Sequence, residues 1–173
     1  MKSGLNKTRV KEISKLKGEP KWMLDFRLKA YDKFMELSNP IFGPELKINF
    51  DDITYYKRAT SSIVDDWNEV PTDIKNTFSN IGLIEAEKKY LGGVGAQYES
   101  EVVYHNMLQE VEEKGVIFLD IDSGLREYPE IFKKYFDTVI PYNDNKFSAL
   151  NGAVWSGGSF IYVPPGVKLE KPL

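Results

Sequence analysis

Ser159-Phe160-Ile161-Tyr162-Val163-Pro164-Pro165-Gly166-Val167-Lys168-Leu169 is the stretch whose reading decides the fold. Residues 159–163 are rich in aromatic and β-branched side chains and predict a strand. Pro164-Pro165-Gly166 then turns the backbone toward a second extended segment at 167–169, and the sequence stops soon after, at Lys171-Pro172-Leu173. A lone two-stranded hairpin is marginal in water, and its unpaired edge is a template for another chain. This leaves two expectations. Either the pair docks on the short β-rich run at 116–121, or the natural chain continues into a larger sheet.

Upstream, helical patterns dominate. Val10, Ile13 and Leu16 follow the capping candidates Asn6 and Thr8, and Gly18 with Pro20 stops that helix. A second helix opens near Pro20 and carries Trp22, Phe26, Ala30, Phe34 and Leu37 as a core stripe. Residues 39–70 read as irregular, with a short extended piece at 53–56. A third helix starts near Val70-Pro71-Thr72, presents Ile74, Phe78 and Ile81, and closes at Gly82. Further helices are expected at 85–91 and at 100–114, the latter with Val103, Met107 and Val111 on one face. Another is expected at 123–140, with Ile131, Phe132, Tyr135, Phe136 and Val139 inward, and a last one at 146–154.

The composition narrows the function. The chain has 173 residues, no cysteine and a single histidine, His105. Within these residues there can be no disulfide, thiolate zinc site, cysteine-ligated cluster or cysteine nucleophile. A site with two or three histidines would need a second chain. Aromatic residues at 13% argue against disorder. The net charge of −3 creates no overall field for nucleic acid. Residues 1–21 nevertheless hold seven Lys and Arg against two Glu, a net of +5, so the remainder carries −8. No apolar run approaches the ~20 residues of a membrane span, and the basic N-terminus lacks the apolar core of a secretory signal. Membrane contact is therefore not expected.

Several motifs invite chemistry and fall short of it. Gly92-Gly93-Val94-Gly95 lacks the Lys and Ser/Thr of a phosphate loop, and reads as a helix stop and turn. Asp120-Ile121-Asp122-Ser123-Gly124 starts like a calcium loop, but its glycine sits fifth instead of sixth. Asp122 or Ser123 is better read as a helix cap. Glu101 and His105, four apart, would share a helical face, yet no second His or Cys completes a metal site. Neither Ser100 nor Ser123 lies in a nucleophile elbow that His105 could serve. Asp51, Asp52, Asp65 and Asp66 read as turn and cap residues. No catalytic, cofactor-binding or metal residue is assigned on these grounds.

Three segments carry a resemblance. They are Glu19-Pro20-Lys21-Trp22-Met23-Leu24-Asp25-Phe26-Arg27, Gln97-Tyr98-Glu99-Ser100-Glu101-Val102-Val103-Tyr104-His105-Asn106, and Asn145-Lys146-Phe147-Ser148-Ala149-Leu150-Asn151 continuing to Phe160-Ile161-Tyr162-Val163-Pro164-Pro165-Gly166-Val167. In order and spacing they resemble the amino-terminal part of the SufB family, scaffold subunits of the SUF iron–sulfur cluster assembly system. The resemblance covers essentially the whole chain. It implies an N-terminal fragment of a longer protein, cut where a right-handed β-helix begins.

The fold class expected is thus α+β, with a mostly helical domain at 1–155 and the first strands of a truncated β-helix at 156–173. The resemblance also implies a SufC-type ATPase and a SufD-type paralogue as partners of the full-length protein, and sulfur supplied by a cysteine desulfurase. It further implies a cytoplasmic location and no catalysis by this region. The family's cluster-holding residues match no position here, so the iron–sulfur cluster belongs to the full-length family and no cofactor is expected in this chain. Some members carry cysteines just after the segment matching Tyr55-Tyr56; here 57–66 has none. The fragment is expected to self-associate through the edge at 159–169. Alternative readings are a stand-alone interaction module using the basic first helix and, with no motif behind it, a carboxylate-dependent hydrolase.

Overall fold

A computed structural model describes residues 2–44, 47–58, 60, 63–81 and 91–173. They divide into two compact units, each discontinuous in sequence. One comprises Met1–Lys57 and Leu125–Ser156, the other Arg58–Gly124 and Gly157–Leu173. Helices and small antiparallel sheets together make an α+β chain.

The first unit is helical. Helix α1 (Lys7–Leu16) is capped by Asn6, whose side chain accepts from the Arg9 N–H at 3.0 Å. Its buried face runs Val10, Ile13, Ser14 and then Lys17 just past its end, while Leu16 is 53% exposed. The inward stripe is therefore i, i+3, i+4, i+7, and Leu16 falls outside it. Helix α2 (Lys21–Glu36) starts after Pro20, which serves as N-cap. It buries Met23, Arg27, Ala30 and Phe34. Ala30 and Phe34 of the expected stripe are buried as read, while towards the N-terminus Met23 and Arg27 replace Trp22 and Phe26 as the innermost residues, so an arginine sits in the core face.

Helix α2 packs on a later helix in the sequence (Lys146–Val154, α7 below). A Cβ at Gly152 would stand 2.9 Å from the Ala30 Cβ, so glycine there sets how closely the two helices approach. That later helix has a full capping box: Asn145 Oδ1 accepts from the Phe147 and Ser148 N–H groups, and Ser148 Oγ accepts from Asn145 N–H. Trp22 meets Phe132, and Phe26 meets Phe136 and Tyr142, edge to face, while Trp155 packs tilted against Phe132 and Phe136.

The second unit holds the sheets. Helix α3 (Thr72–Ile81) packs Ile74 with Val70, Val103 and Tyr104 as a small core. Strand β1 (Gly93–Tyr98) pairs antiparallel with β2 (Glu101–Met107) through a turn in which Glu99 has φ 56°. The 100–114 segment is therefore not one helix. Its 3.6-residue spacing is genuine, but Val102-Val103-Tyr104 favours extended backbone, and β1 satisfies it on one edge. On the other edge Val64 donates to Val103 O at 3.2 Å and accepts from His105 N–H at 3.0 Å. Only the short helix α4 (Gln109–Glu112) remains of the expected one.

Strand β3 (Ile117–Asp120) pairs antiparallel with β4 (Ser159–Tyr162), Ile117 opposite Tyr162 and Asp120 opposite Ser159. Strand β4 thus docks on the β-rich run, as the first of the two expectations had it. Residues 167–169 form no ladder; the backbone beyond them reaches β1, where Pro172 O accepts from Gly92 N–H at 2.7 Å.

The expected 123–140 helix is two, α5 (Ile121–Glu127) and α6 (Pro129–Tyr135). Pro129 has no N–H to continue the first and fits the first turn of the second. The second ends before Asp137, at φ 63°, so Tyr135 and Val139 are exposed and not inward. The remaining helix, α7, is Lys146–Val154. The helix expected at 85–91 and the stop at Gly82 lie outside the described residues, Leu91 excepted. No helix among the described residues is long and apolar enough to cross a membrane.

Candidate functional site

The two sheets of the second unit meet around His105. In the β1–β2 ladder His105 stands opposite Gly95, so no side chain covers its ring from that position. Phe118 of β3 takes the space, its ring centroid 4.5 Å from the imidazole. The glycines of β1 are required for this: a Cβ at Gly93 would come within 2.5 Å of the Phe118 ring. Beside the pair lies a cavity of about 150 Å³ lined by Gly95, Gln97, Val102, His105, Asp120, Gly158 and Ser159.

Each polar lining group is held by local structure. Asp120 ends β3 and is buried; its Oδ1 accepts from the Asp122 and Ser123 N–H groups, both at 3.0 Å. It is therefore Asp120, and not Asp122 or Ser123, that caps α5. Ser159 lies across the ladder from Asp120, and Gly158, at φ 145°, accepts the Ile121 N–H at 3.0 Å. The Gln97 amide packs directly on Gly157, where any Cβ would overlap it. The ideal Cβ position of Gly95 is 3.8 Å from both the His105 ring and Ser159 Oγ, so both border the same space.

His105 Nε2 is enclosed and has no hydrogen-bond partner among the described residues. Burial holds the His105 pKa below the ordinary 6.5, and the Asp120 charge offsets this only in part. The imidazole is thus neutral at neutral pH. Although Ser159, His105 and Asp120 share one cavity, Nε2 bonds neither hydroxyl nor carboxylate, so they do not form a proton relay. The arrangement is suited to holding a small ligand. Glu101 does not join it: on a strand, four residues separate the two α-carbons by about 13 Å.

The other sequence candidates are dispersed. Gly93 and Gly95 lie in strand β1, and Gly92 N–H is spent on Pro172 O, so no phosphate cradle forms. Asp51 and Asp52 lie in a short 3₁₀ turn of the first unit, capped by Asn49. Asp66 caps the turn at Trp67–Glu69 by accepting from Asn68 N–H. Asp65 and Asp66 also rim a larger cavity of about 500 Å³, with Trp67, Tyr104 and Asn106 among its walls. Burial and the two carboxylates push the Tyr104 pKa up. Gln97 and Ser159 gave no sequence signal beyond the Gly157-Gly158 pair before Ser159, because both act through partners far along the chain.

Residues 94–173 match the family model described as the SufBD protein N-terminal region. Every residue lining the His105 cavity lies inside the matched part. Over 171 residues the chain is 61% identical to an iron–sulfur cluster assembly SufBD family protein of Staphylococcus haemolyticus. It is 59% identical over the same length to one of Staphylococcus aureus. Each match covers 98% of this chain and 37% of the relative, so the chain spans little more than a third of their length.

Proposed function

We propose that this chain is the N-terminal region of a SufB-type scaffold, of the SufBD family, on which iron–sulfur clusters are assembled. The observation behind the reading is the 61% identity, across 98% of the chain, to a relative named for that process. The segments at 19–27, 97–106 and 145–167 favour SufB over its paralogue SufD. On this reading residues 1–155 form the helical α+β domain, and β4 begins a right-handed β-helix at 156–173. The full-length protein works in the cytoplasm with a SufC-type ATPase and a SufD-type paralogue, on sulfur from a cysteine desulfurase, without nucleic acid or membrane. The present residues hold no cluster and catalyse no reaction.

The test is a chimera. This chain replaces the corresponding region of SufB, or separately of SufD, in a bacterium dependent on its SUF system. Rescue by the SufB chimera alone supports the proposal; rescue by the SufD chimera alone overturns it. Anaerobic incubation of the chain with iron and sulfide tests the second part, since a stable chromophore would contradict it.

A second reading is an interaction module. Lys7 and Lys21 are paired with Asp32 and Asp25, whereas Lys11 and Lys15 stand exposed one helical turn apart on α1, with no ion pair among the described residues. Partner binding that weakens steeply with salt and is lost in Lys11→Glu/Lys15→Glu would favour it.

A further inference from the structure

Tyr104 and His105 are neighbours on β2, so their side chains leave opposite faces of the sheet. On the Tyr104 side lies the larger cavity, of about 500 Å³, and all its lining residues belong to the second unit. Ligand pockets commonly measure about 300–1,000 Å³. Two rings form one corner of it. Trp67 and Tyr104 meet edge to face at 86°, with centroids 5.2 Å apart. Tyr104 belongs to the small core with Val70, Ile74 and Val103, and Trp67 packs on that core, so both rings are held in place.

The rim beside this corner is acidic. Asp66 Oδ1 accepts from Asn68 N–H at 2.8 Å, which orients the carboxylate and leaves Oδ2 to the cavity side. The Asp65 carboxylate makes no hydrogen bond or ion pair among the described residues. Asn106 donates its amide to Asp65 O at 3.2 Å and keeps its own carbonyl oxygen as an acceptor. No Lys or Arg lines the cavity among the described residues, and Lys75 is spent on Asn68 O at 2.6 Å. Burial, then Asp66 and Asp65, raise the Tyr104 pKa, so the field of both carboxylates reaches the aromatic corner.

This combination selects a cation with an apolar stem. Two negative charges repel an anion, and aromatic rings attract a cation that can lie against them. A guanidinium fits better than an ammonium. It is planar and weakly hydrated, stacks on rings, and has five N–H donors for carboxylate and amide oxygens at once. We propose that the cavity bordered by Asp65, Asp66, Trp67, Tyr104 and Asn106 binds an alkylguanidinium group of the kind an arginine carries. The proposal goes beyond the assembly reading and does not rest on it.

The test adds the tripeptide Ac-Gly-Arg-Gly-NH2 to the whole 173-residue chain and follows the amide NMR spectrum. Saturable shifts should centre on Asn68, Val94, Asn106 and the Trp67 indole N–H, with a Kd of about millimolar for so small a ligand. Added salt should weaken binding. The tripeptide with citrulline, which has the same shape and no charge, should not bind. Asp65→Asn/Asp66→Asn keeps the oxygen that caps the turn and should raise the Kd about fivefold or more, as expected for two partly exposed charge pairs. Free arginine forms a separate arm. Tighter binding of the tripeptide identifies an arginine within a partner polypeptide, and tighter binding of free arginine identifies a small molecule; either supports a guanidinium site. Shifts spread over other acidic surfaces overturn the proposal, as does equal binding of the citrulline peptide or a Kd unchanged in the double variant. If that variant fails to fold, the shift map and the citrulline comparison decide alone. Because the readout is binding by this chain, it is independent of the chimera experiment.

Discussion

Replacing Arg27 with Met should unfold the helical unit more readily than any other single substitution at a polar residue in α2. Arg27 is fully buried at the centre of that helix. Its Nε donates to Glu19 Oε2 at 2.7 Å and its Nη2 to Oε1 at 2.5 Å, a bidentate pair in which neither side chain is exposed. The same guanidinium donates to Ala153 O at 3.2 Å and Trp155 O at 2.8 Å, at the end of α7. The Trp155 ring lies 4.5 Å from its centre. Methionine fills much of the volume but leaves Glu19 as a buried charge with no cation, and two carbonyls lose their donors.

Removing one partner of a buried pair costs about 3–5 kcal/mol. In a chain of this size that is a Tm loss of about 6–20 °C, at roughly 2–4 °C per kcal/mol. Urea and thermal denaturation followed by far-UV circular dichroism measure it, since α1, α2 and α7 contribute much of the helical signal. Arg27→Lys should fall between, because an ammonium keeps the charge but lacks the fork that reaches both carboxylate oxygens and both carbonyls. Adding Glu19→Gln to Arg27→Met should recover part of the loss by removing the stranded charge. A loss below about 1 kcal/mol for Arg27→Met, or a double variant as damaged as the sum of its parts, would refute the reasoning.

Other expectations follow from the second unit. Gly124→Ala should destabilise even though alanine is the better helix former by about 1 kcal/mol, because a Cβ there would sit 2.5 Å from Phe160 Cβ. Overpacking of this kind costs about 1–3 kcal/mol, so a more stable variant in urea denaturation would show that Phe160 moves freely aside. His105 is harder to protonate in the fold than in the unfolded chain, so its contribution is complete above pH 6.5 and is lost as pH falls below it. Urea denaturation at about pH 7.5 and about pH 5.5 should show a loss that shrinks in His105→Gln; an NMR titration with the ring pKa at or above 6.5 would contradict this. Strand β4 pairs with β3 along one edge and exposes Ile161 (50%), and Val163 just beyond it is also exposed (40%). Sedimentation should therefore become concentration-dependent and return to a monomer in Ile161→Lys, whereas a monomeric wild type at high concentration would sink the idea.

What could be read from the chain follows how local each signal is. Asn6 marked a helix start because a cap acts over three residues, and its side chain accepts the Arg9 N–H. The expected α2 stripe holds at Ala30 and Phe34, which are buried, but Trp22 and Phe26 are only half-buried, and Met23 and Arg27 take the innermost positions instead. Arg27 is tolerated inside only because Glu19 and the Ala153 and Trp155 carbonyls meet it, and two of those groups lie more than a hundred residues away. At the cavity, His105 stood out as the sole histidine, but its sequence neighbour Glu101 was the wrong companion. Its actual companions, Asp120 and Ser159, arrive from other strands.

The sequence by itself determined the α+β class, the positions of α1, α2, α3 and α7, the strand character of β3 and β4, and the absence of cysteine chemistry from these residues. Periodicity, caps and β-branching act within a few residues, so they are written locally. Only the tertiary structure decided that 101–107 is a strand, that β4 docks on β3, that an arginine occupies the helical core, and that His105, Asp120, Gln97 and Ser159 border one cavity. Each of these depends on a partner distant in sequence that supplies hydrogen bonds or a counter-charge. No window of local sequence contains both halves of such a pair.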